Sequence, residues 1–173
     1  MSFSKIKETR LRKKFDKKVL QLAKNRTVSQ KEIKTVGILT TDAISLKLDV
    51  QSKIEKVLGV RNIKIYNFKK YNKSDAVSFK HFSEKDINWK GHFIQPNFKS
   101  FLEEPFDLLI GYFKEPNLYL QNAVLESKAT FKAGFSDVNF KLYELEIVEN
   151  TEHLDLFAAE LKKYLIILKK LKN

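Results

Sequence analysis

Arg10, Arg12, Lys13, Lys14, Lys17 and Lys18 stand within one nine-residue stretch. The chemistry open to such a cluster is the holding of phosphate oxygens through charge-assisted hydrogen bonds. Leu11, Phe15, Val19 and Leu22 recur among these cations at steps of three and four. That spacing predicts an amphipathic helix of about five turns, its apolar stripe docked on the rest of the chain and its cations mostly on the opposite side. Residues 1–34 hold 12 basic residues against Glu8, Asp16 and Glu32, a net of +9. The chain as a whole carries 33 basic and 21 acidic residues, which leaves 21 and 18, a net of only +3, for the remainder. A lysine-rich face can serve solubility alone, but solubility does not require nine excess charges packed where they repel one another. The segment is therefore read as the contact for a polyanion, RNA or the ribosome, through those six residues. An anionic membrane surface is the less favoured partner, because the apolar stripe is modest and contains no Trp.

The elements that must position any site follow from the pattern beyond residue 34. Thr35–Thr41 and Asn62–Phe68 read as strands, with a helix between them marked by Leu46, Val50, Ile54, Val57 and Leu58 and stopped at Gly59. Phe106–Tyr112 is a buried strand followed by a helix from about Asn117 to Lys128. Thr130–Phe135 and Leu142–Val148 are two further strands, and a long helix runs through Leu154, Phe157, Leu161, Leu165 and Leu168. Residues 69–100 read as a long excursion with at most one short strand or helical turn. Strands alternating with helices predict an α/β fold: a three-layer, mostly parallel, Rossmann-like sheet of about five strands. Residues 1–34 would be the basic helical extension and 35–173 the single domain. The chain has no cysteine, which excludes disulfides, thiolate metal sites and cysteine nucleophiles. It begins without a secretory signal and has no apolar run of membrane-spanning length, so the cytoplasm is the expected compartment.

In such sheets ligands bind beyond the carboxyl ends of the strands. Thr40, Thr41 and Asp42 fall there after the first strand, Phe113–Glu115 after the third, and Ser136 with Asp137 after the fourth, so Thr40, Thr41, Asp42 and Glu115 are the candidate small-ligand residues. The plainer reading, that the small polar ones are turn and cap residues, is favoured, because Thr-Thr-Asp-Ala stands where a glycine-rich phosphate loop would be needed. His81, His92 and His153 share no metal-ligand spacing, so no metal site is expected, and no nucleophile elbow or isolated carboxylate pair anchors a hydrolase. No catalytic residue and no cofactor is assigned. Residues 61–101 interleave nine lysines and arginines with Tyr66, Phe68, Tyr71, Phe79, Phe82, Trp89, Phe93, Phe98 and Phe101. That mixture suits single-stranded RNA, though for any one of these aromatics burial within the excursion is the favoured reading.

The stretch FDLLIGYFKEPNLYLQNAVLESKATFKAGFS, residues 106–136, resembles the amino-terminal Rossmann-like half of heptosyltransferase-type glycosyltransferases, in which a strand of the YDLVIDL kind leads into a helix and a short strand ending in Gly-Phe. The resemblance covers about 30 residues and implies the fold. The nucleotide-sugar site of those enzymes lies largely in a second half for which 173 residues leave no room, so no catalytic role is carried over. The whole chain also resembles short uncharacterised proteins of Bacteroidota, in which a basic helix precedes a domain with an FSEKDINWKG loop, here residues 82–91. The reading favoured is a non-enzymatic RNA-binding module. The alternative is a nucleotide-sugar or other small-ligand protein.

Overall fold

A computed structural model describes residues 2–139 and 141–173. Its centre is a six-stranded sheet, every strand parallel to its neighbours, in the order β3-β2-β1-β4-β5-β6. The strands are β1 (Thr35–Thr41), β2 (Asn62–Phe68), β3 (His81–Phe82), β4 (Leu108–Tyr112), β5 (Lys132–Phe135) and β6 (Leu145–Ile147). The helices are α1 (Phe3–Lys24), α2 (Asp42–Ser45), α3 (Val50–Leu58), α4 (Pro96–Glu103), α5 (Leu118–Glu126) and α6 (Leu154–Ile167). This is the Rossmann-like α/β arrangement, with a topological switch point where the chain leaves β1 on one side for β2 and on the other lies beside β4.

Side chains alternate across the strands and divide the core in two. Val36 and Ile38 of β1, Leu108, Ile110 and Tyr112 of β4, and Ala133 and Phe135 of β5 pack with α3 and α6. Leu39 and Leu109 face the other way, toward α1, α4, α5 and the aromatics between β2 and β4. On that second face Tyr143 lies flat on the sheet. A Cβ built on Gly111 would sit 2.1 Å from its hydroxyl, and one on Gly134 would sit 2.2 Å from its ring. Glycine is required at both positions because the ring occupies the space a side chain would take.

The expected sheet is borne out with one edge strand added, and two further expectations are corrected. The sheet has six strands and is wholly parallel, because two residues of the excursion, His81 and Phe82, pair with Asn67 and Phe68 to add an edge strand. The helix expected through Leu46 is broken: α2 ends at Ser45, Leu46 is 79% exposed, and α3 starts afresh where the Asp49 carboxylate accepts the Ser52 N–H. The glycine stop is where it was expected, Gly59 taking φ +69° behind α3. Residues 69–100 also contain a helix, α4, begun by Pro96 at its first turn, with Phe98, Phe101 and Leu102 buried.

Candidate functional site

Helix α1 is anchored by Leu11, Phe15 and Val19, all buried in the core cluster that contains Phe82, Phe93 and Phe98. With that stripe turned inward, helical geometry sorts the six candidate cations. Arg10, Lys13, Lys14 and Lys17 stand at i, i+3, i+4 and i+7, a single row within about 100° of arc. Arg12 projects to the opposite flank, where Asp16 lies one turn on. Lys18 turns inward and pairs with Glu126. Lys14 Nζ donates to the Lys90 carbonyl at 2.8 Å, a bond that leaves its charge unneutralised. The Arg10 guanidinium carbon stands 5.6 Å from the centroid of the Trp89 ring. Arg12, Lys13 and Lys17 are exposed and make no ion pair or hydrogen bond with another described residue. Burial is the leading cause that lowers the Lys14 ammonium below its ordinary range, and the neighbouring charge of Lys18 lowers it further. Glu8 points away from the row, its carboxylate accepting from the Tyr119 hydroxyl at 3.3 Å.

Residues from outside the helix extend this face. Phe3 and Ile6 are exposed and, with Lys7, Arg10 and Trp89, line a shallow depression of about 300 Å³. Trp89 is 53% exposed, and Lys90 Nζ lies 5.3 Å from its centroid. Of the nine aromatics in residues 61–101, Tyr66, Phe82, Phe93, Phe98 and Phe101 are buried and pack ring against ring, as in the 4.0 Å stack of Phe82 on Phe98. Tyr71, Phe79 and Trp89 are exposed. Alternation of aromatics with lysines does not distinguish the two groups; only the position of each ring relative to β3 and α4 does.

The candidate residues at the carboxyl rim of the sheet are already engaged in most cases. Thr40 is fully buried and its hydroxyl donates to the Tyr112 carbonyl at 2.6 Å. Thr41 caps α2, its hydroxyl accepting the Ile44 N–H at 3.2 Å. Both serve local structure. Glu115 is exposed and lines a crevice of about 600 Å³ at the switch point, together with Thr41, Lys114, Asn150 and Thr151. Lys114 is held there by Asp137 at 2.9 Å and by the Asn150 amide oxygen at 2.7 Å. Among the described residues no group of His, Asp or Glu side chains converges as metal ligands.

Asp42 belongs to a different constellation. Its Oδ1 lies 2.7 Å from His81 Nε2, and His81 Nδ1 lies 2.6 Å from Ser78 Oγ. Ser78 and His81 line a cavity of about 410 Å³ whose wall includes Lys69, Lys70, Tyr71 and Lys85. Asp42 is recognisable in the sequence as a rim residue, but its pairing with Ser78 and His81 is not. The two partners lie 36 and 39 residues further on, and parallel pairing of β3 beside β2 is what brings them back to the end of β1.

The fold and these surfaces define the class: a Rossmann-like α/β protein with a wholly parallel sheet and a cationic helix packed into its second core. The chain belongs to a family of unknown function, DUF6913, whose members it matches over residues 7–168, from the first turns of α1 to the end of α6. No curated protein and no solved structure matches it. No helix among the described residues is long and apolar enough to cross a membrane.

Proposed function

We propose that the protein is a cytoplasmic RNA-binding module, ribosomal RNA included, in which the row Arg10, Lys13, Lys14 and Lys17 holds successive phosphates of one strand. The observation that carries this reading is the state of those cations: all four are free of carboxylate partners among the described residues, and Glu8 of the same helix is turned away to Tyr119. From Arg10 to Lys17 the row extends roughly 10 Å along the helix, and the exposed Lys24, seven residues further on, continues it to roughly 21 Å. Trp89 at the amino-terminal end of the row offers a half-exposed ring on which an unpaired base can stack.

The test is charge reversal, Arg10→Glu, Lys13→Glu and Lys17→Glu together, measured by fluorescence anisotropy of a labelled 20-nucleotide RNA. Affinity should fall at least 100-fold while the melting temperature stays within a few degrees. Removing the helix is the wrong experiment, because Leu11, Phe15 and Val19 belong to the core. Trp89, the one tryptophan of the chain, adds a second readout: quenching by single-stranded RNA is expected. A blue shift on anionic vesicles with no response to RNA would assign the face to a membrane.

The crevice at the switch point supports a second reading, a small-ligand site beside Glu115 of the nucleotide-sugar kind. It has the volume for such a ligand, about 600 Å³. A rise in melting temperature with uridine or cytidine sugars, abolished by Glu115→Ala, is the outcome it requires.

A further inference from the structure

We propose that Ser78, His81 and Asp42 act as nucleophile, general base and orienting carboxylate in the cleavage of carboxylic esters that carry a negative charge. The two hydrogen bonds of 2.6 and 2.7 Å run unbroken from the Ser78 hydroxyl through the imidazole to the carboxylate. An ionised carboxylate can only accept, so Asp42 selects the tautomer with its proton on Nε2 and leaves Nδ1 as an acceptor. Ser78 Oγ accepts the Lys80 N–H at 3.3 Å, and its own hydrogen is then the one directed at Nδ1. The ring nitrogens exchange roles relative to the familiar serine-hydrolase order, in which the carboxylate faces Nδ1. Either nitrogen can take the proton, and such constellations are recognised by geometry and role.

Position supports the same assignment. Asp42 is the first residue beyond β1, and His81 belongs to β3, where it pairs with Asn67 and its carbonyl accepts the Gln95 side-chain N–H at 3.1 Å. The base therefore rides on a strand, and the trio sits at the carboxyl rim of the sheet, where parallel α/β proteins place their ligands. The adjoining cavity of about 410 Å³ admits a small acyl ester. On its wall Lys69 is paired with Asp75 at 3.2 Å, and Lys85 lies 3.6 Å above the Tyr71 ring. Lys70 makes no ion pair or hydrogen bond with another described residue, and it is the cation available to a charged substituent on the substrate.

The chemistry is acyl transfer to water. Ser78 Oγ bonds to the acyl carbon as its proton passes to His81 Nδ1. The bond from that carbon to the leaving oxygen then breaks, and the leaving alcohol takes the proton from Nδ1. Water attacks the acyl-serine and gives a proton to Nδ1, and Ser78 recovers it as the acid departs. No oxidant, reductant or metal enters the balance.

The experiment treats the full-length protein with a fluorophosphonate probe, locates the adduct by peptide mass, and follows hydrolysis of p-nitrophenyl acetate and of mono-p-nitrophenyl succinate. Labelling at Ser78 is expected, with none in Ser78→Ala and at least a 100-fold slower rate in Asp42→Asn, which keeps the shape of the carboxylate but releases the tautomer. Lys70→Ala should raise KM for the succinate several-fold more than for the acetate. A wild-type protein that leaves Ser78 unlabelled, or a labelling rate in Asp42→Asn equal to wild type, overturns the proposal. Ser78→Ala removes only a partly buried hydroxyl, so its hydrolysis rate remains decisive if Asp42→Asn loosens the fold. RNA affinity should be the same in Ser78→Ala as in wild type, so the two functional readings stand or fall separately.

Discussion

The carboxyl rim of the sheet and the exposed flank of α1 are both rich in polar groups, and they differ in how those groups are engaged. At the switch point Thr40 donates to a backbone carbonyl, Thr41 caps a helix, and Lys114 is held by Asp137 and Asn150. On α1, Lys13 and Lys17 have no partner among the described residues, and Lys14 has only a carbonyl. Fold analogy directs attention to the rim, whereas the inventory of unmet charge directs it to the helix. A hydroxyl that bonds a backbone carbonyl, as Thr40 does, or caps a helix, as Thr41 does, is explained by the fold. A row of like charges without partners destabilises the compact state and calls for another explanation.

The largest expected effect tests whether the cationic helix is part of the fold at all. Phe15→Ala empties a position in the second core cluster that is only 3% exposed and should cost about 3–5 kcal/mol in urea unfolding. A loss below 1 kcal/mol would make α1 a loosely attached arm, and the ordered row of cations would lose its basis.

A cation buried for structural reasons gives the contrast next in size. Lys132 is 5% exposed and its ammonium donates to the Val124 carbonyl at 2.6 Å and the Leu125 carbonyl at 3.3 Å, at the carboxyl end of α5. Burial lowers its pKa to about 8, against the smaller opposing pull of Glu144. The unfolded chain keeps this proton to about pH 10.4, so between pH 8 and 10 it binds more protons than the folded protein, and stability rises with pH through that window. The gain attributable to Lys132 is ~2–3 kcal/mol, and Lys132→Met should remove that part of the rise. An unchanged slope in the variant would mean the ammonium is better solvated than its position implies.

The smallest effect concerns the rim. Thr41→Ala removes the cap of α2 and should cost about 1 kcal/mol with no change in RNA affinity. A loss of RNA binding in this variant would move the interface from the helix to the rim.

The parts of the fold that sequence makes plain are those with one dominant pattern. The bounds of β1 and β2 follow from short runs of mainly β-branched and aromatic residues, and α6 from five leucine or phenylalanine positions at helical steps. β3 was hidden because a two-residue strand has no period, and α4 because its three buried residues sit among lysines and polar turns. The expected fifth strand includes Leu142 and Tyr143, yet both lie before β6, since Tyr143 is folded onto Gly111 and Gly134 instead of continuing the ladder. Of the six candidate cations, composition located the cluster but not its division into a row of four, an outlier at Arg12 and an internal partner at Lys18. That division depends on which neighbour each flank of the helix meets, and Glu126, the partner of Lys18, is 108 residues away. Trp89 beside Arg10, and Ser78 with His81 beside Asp42, depend in the same way on contacts closed by the sheet.

The most direct measurement of the central claim is the salt dependence of binding to a single-stranded RNA. If about four phosphates are held by Arg10, Lys13, Lys14 and Lys17, log K should fall against log salt with a slope near −3, roughly 50-fold between 50 and 200 mM. The charge-reversed protein should lose most of that slope along with its affinity. A flat dependence, or a reversed protein that binds as tightly and as salt-sensitively as wild type, would contradict the account.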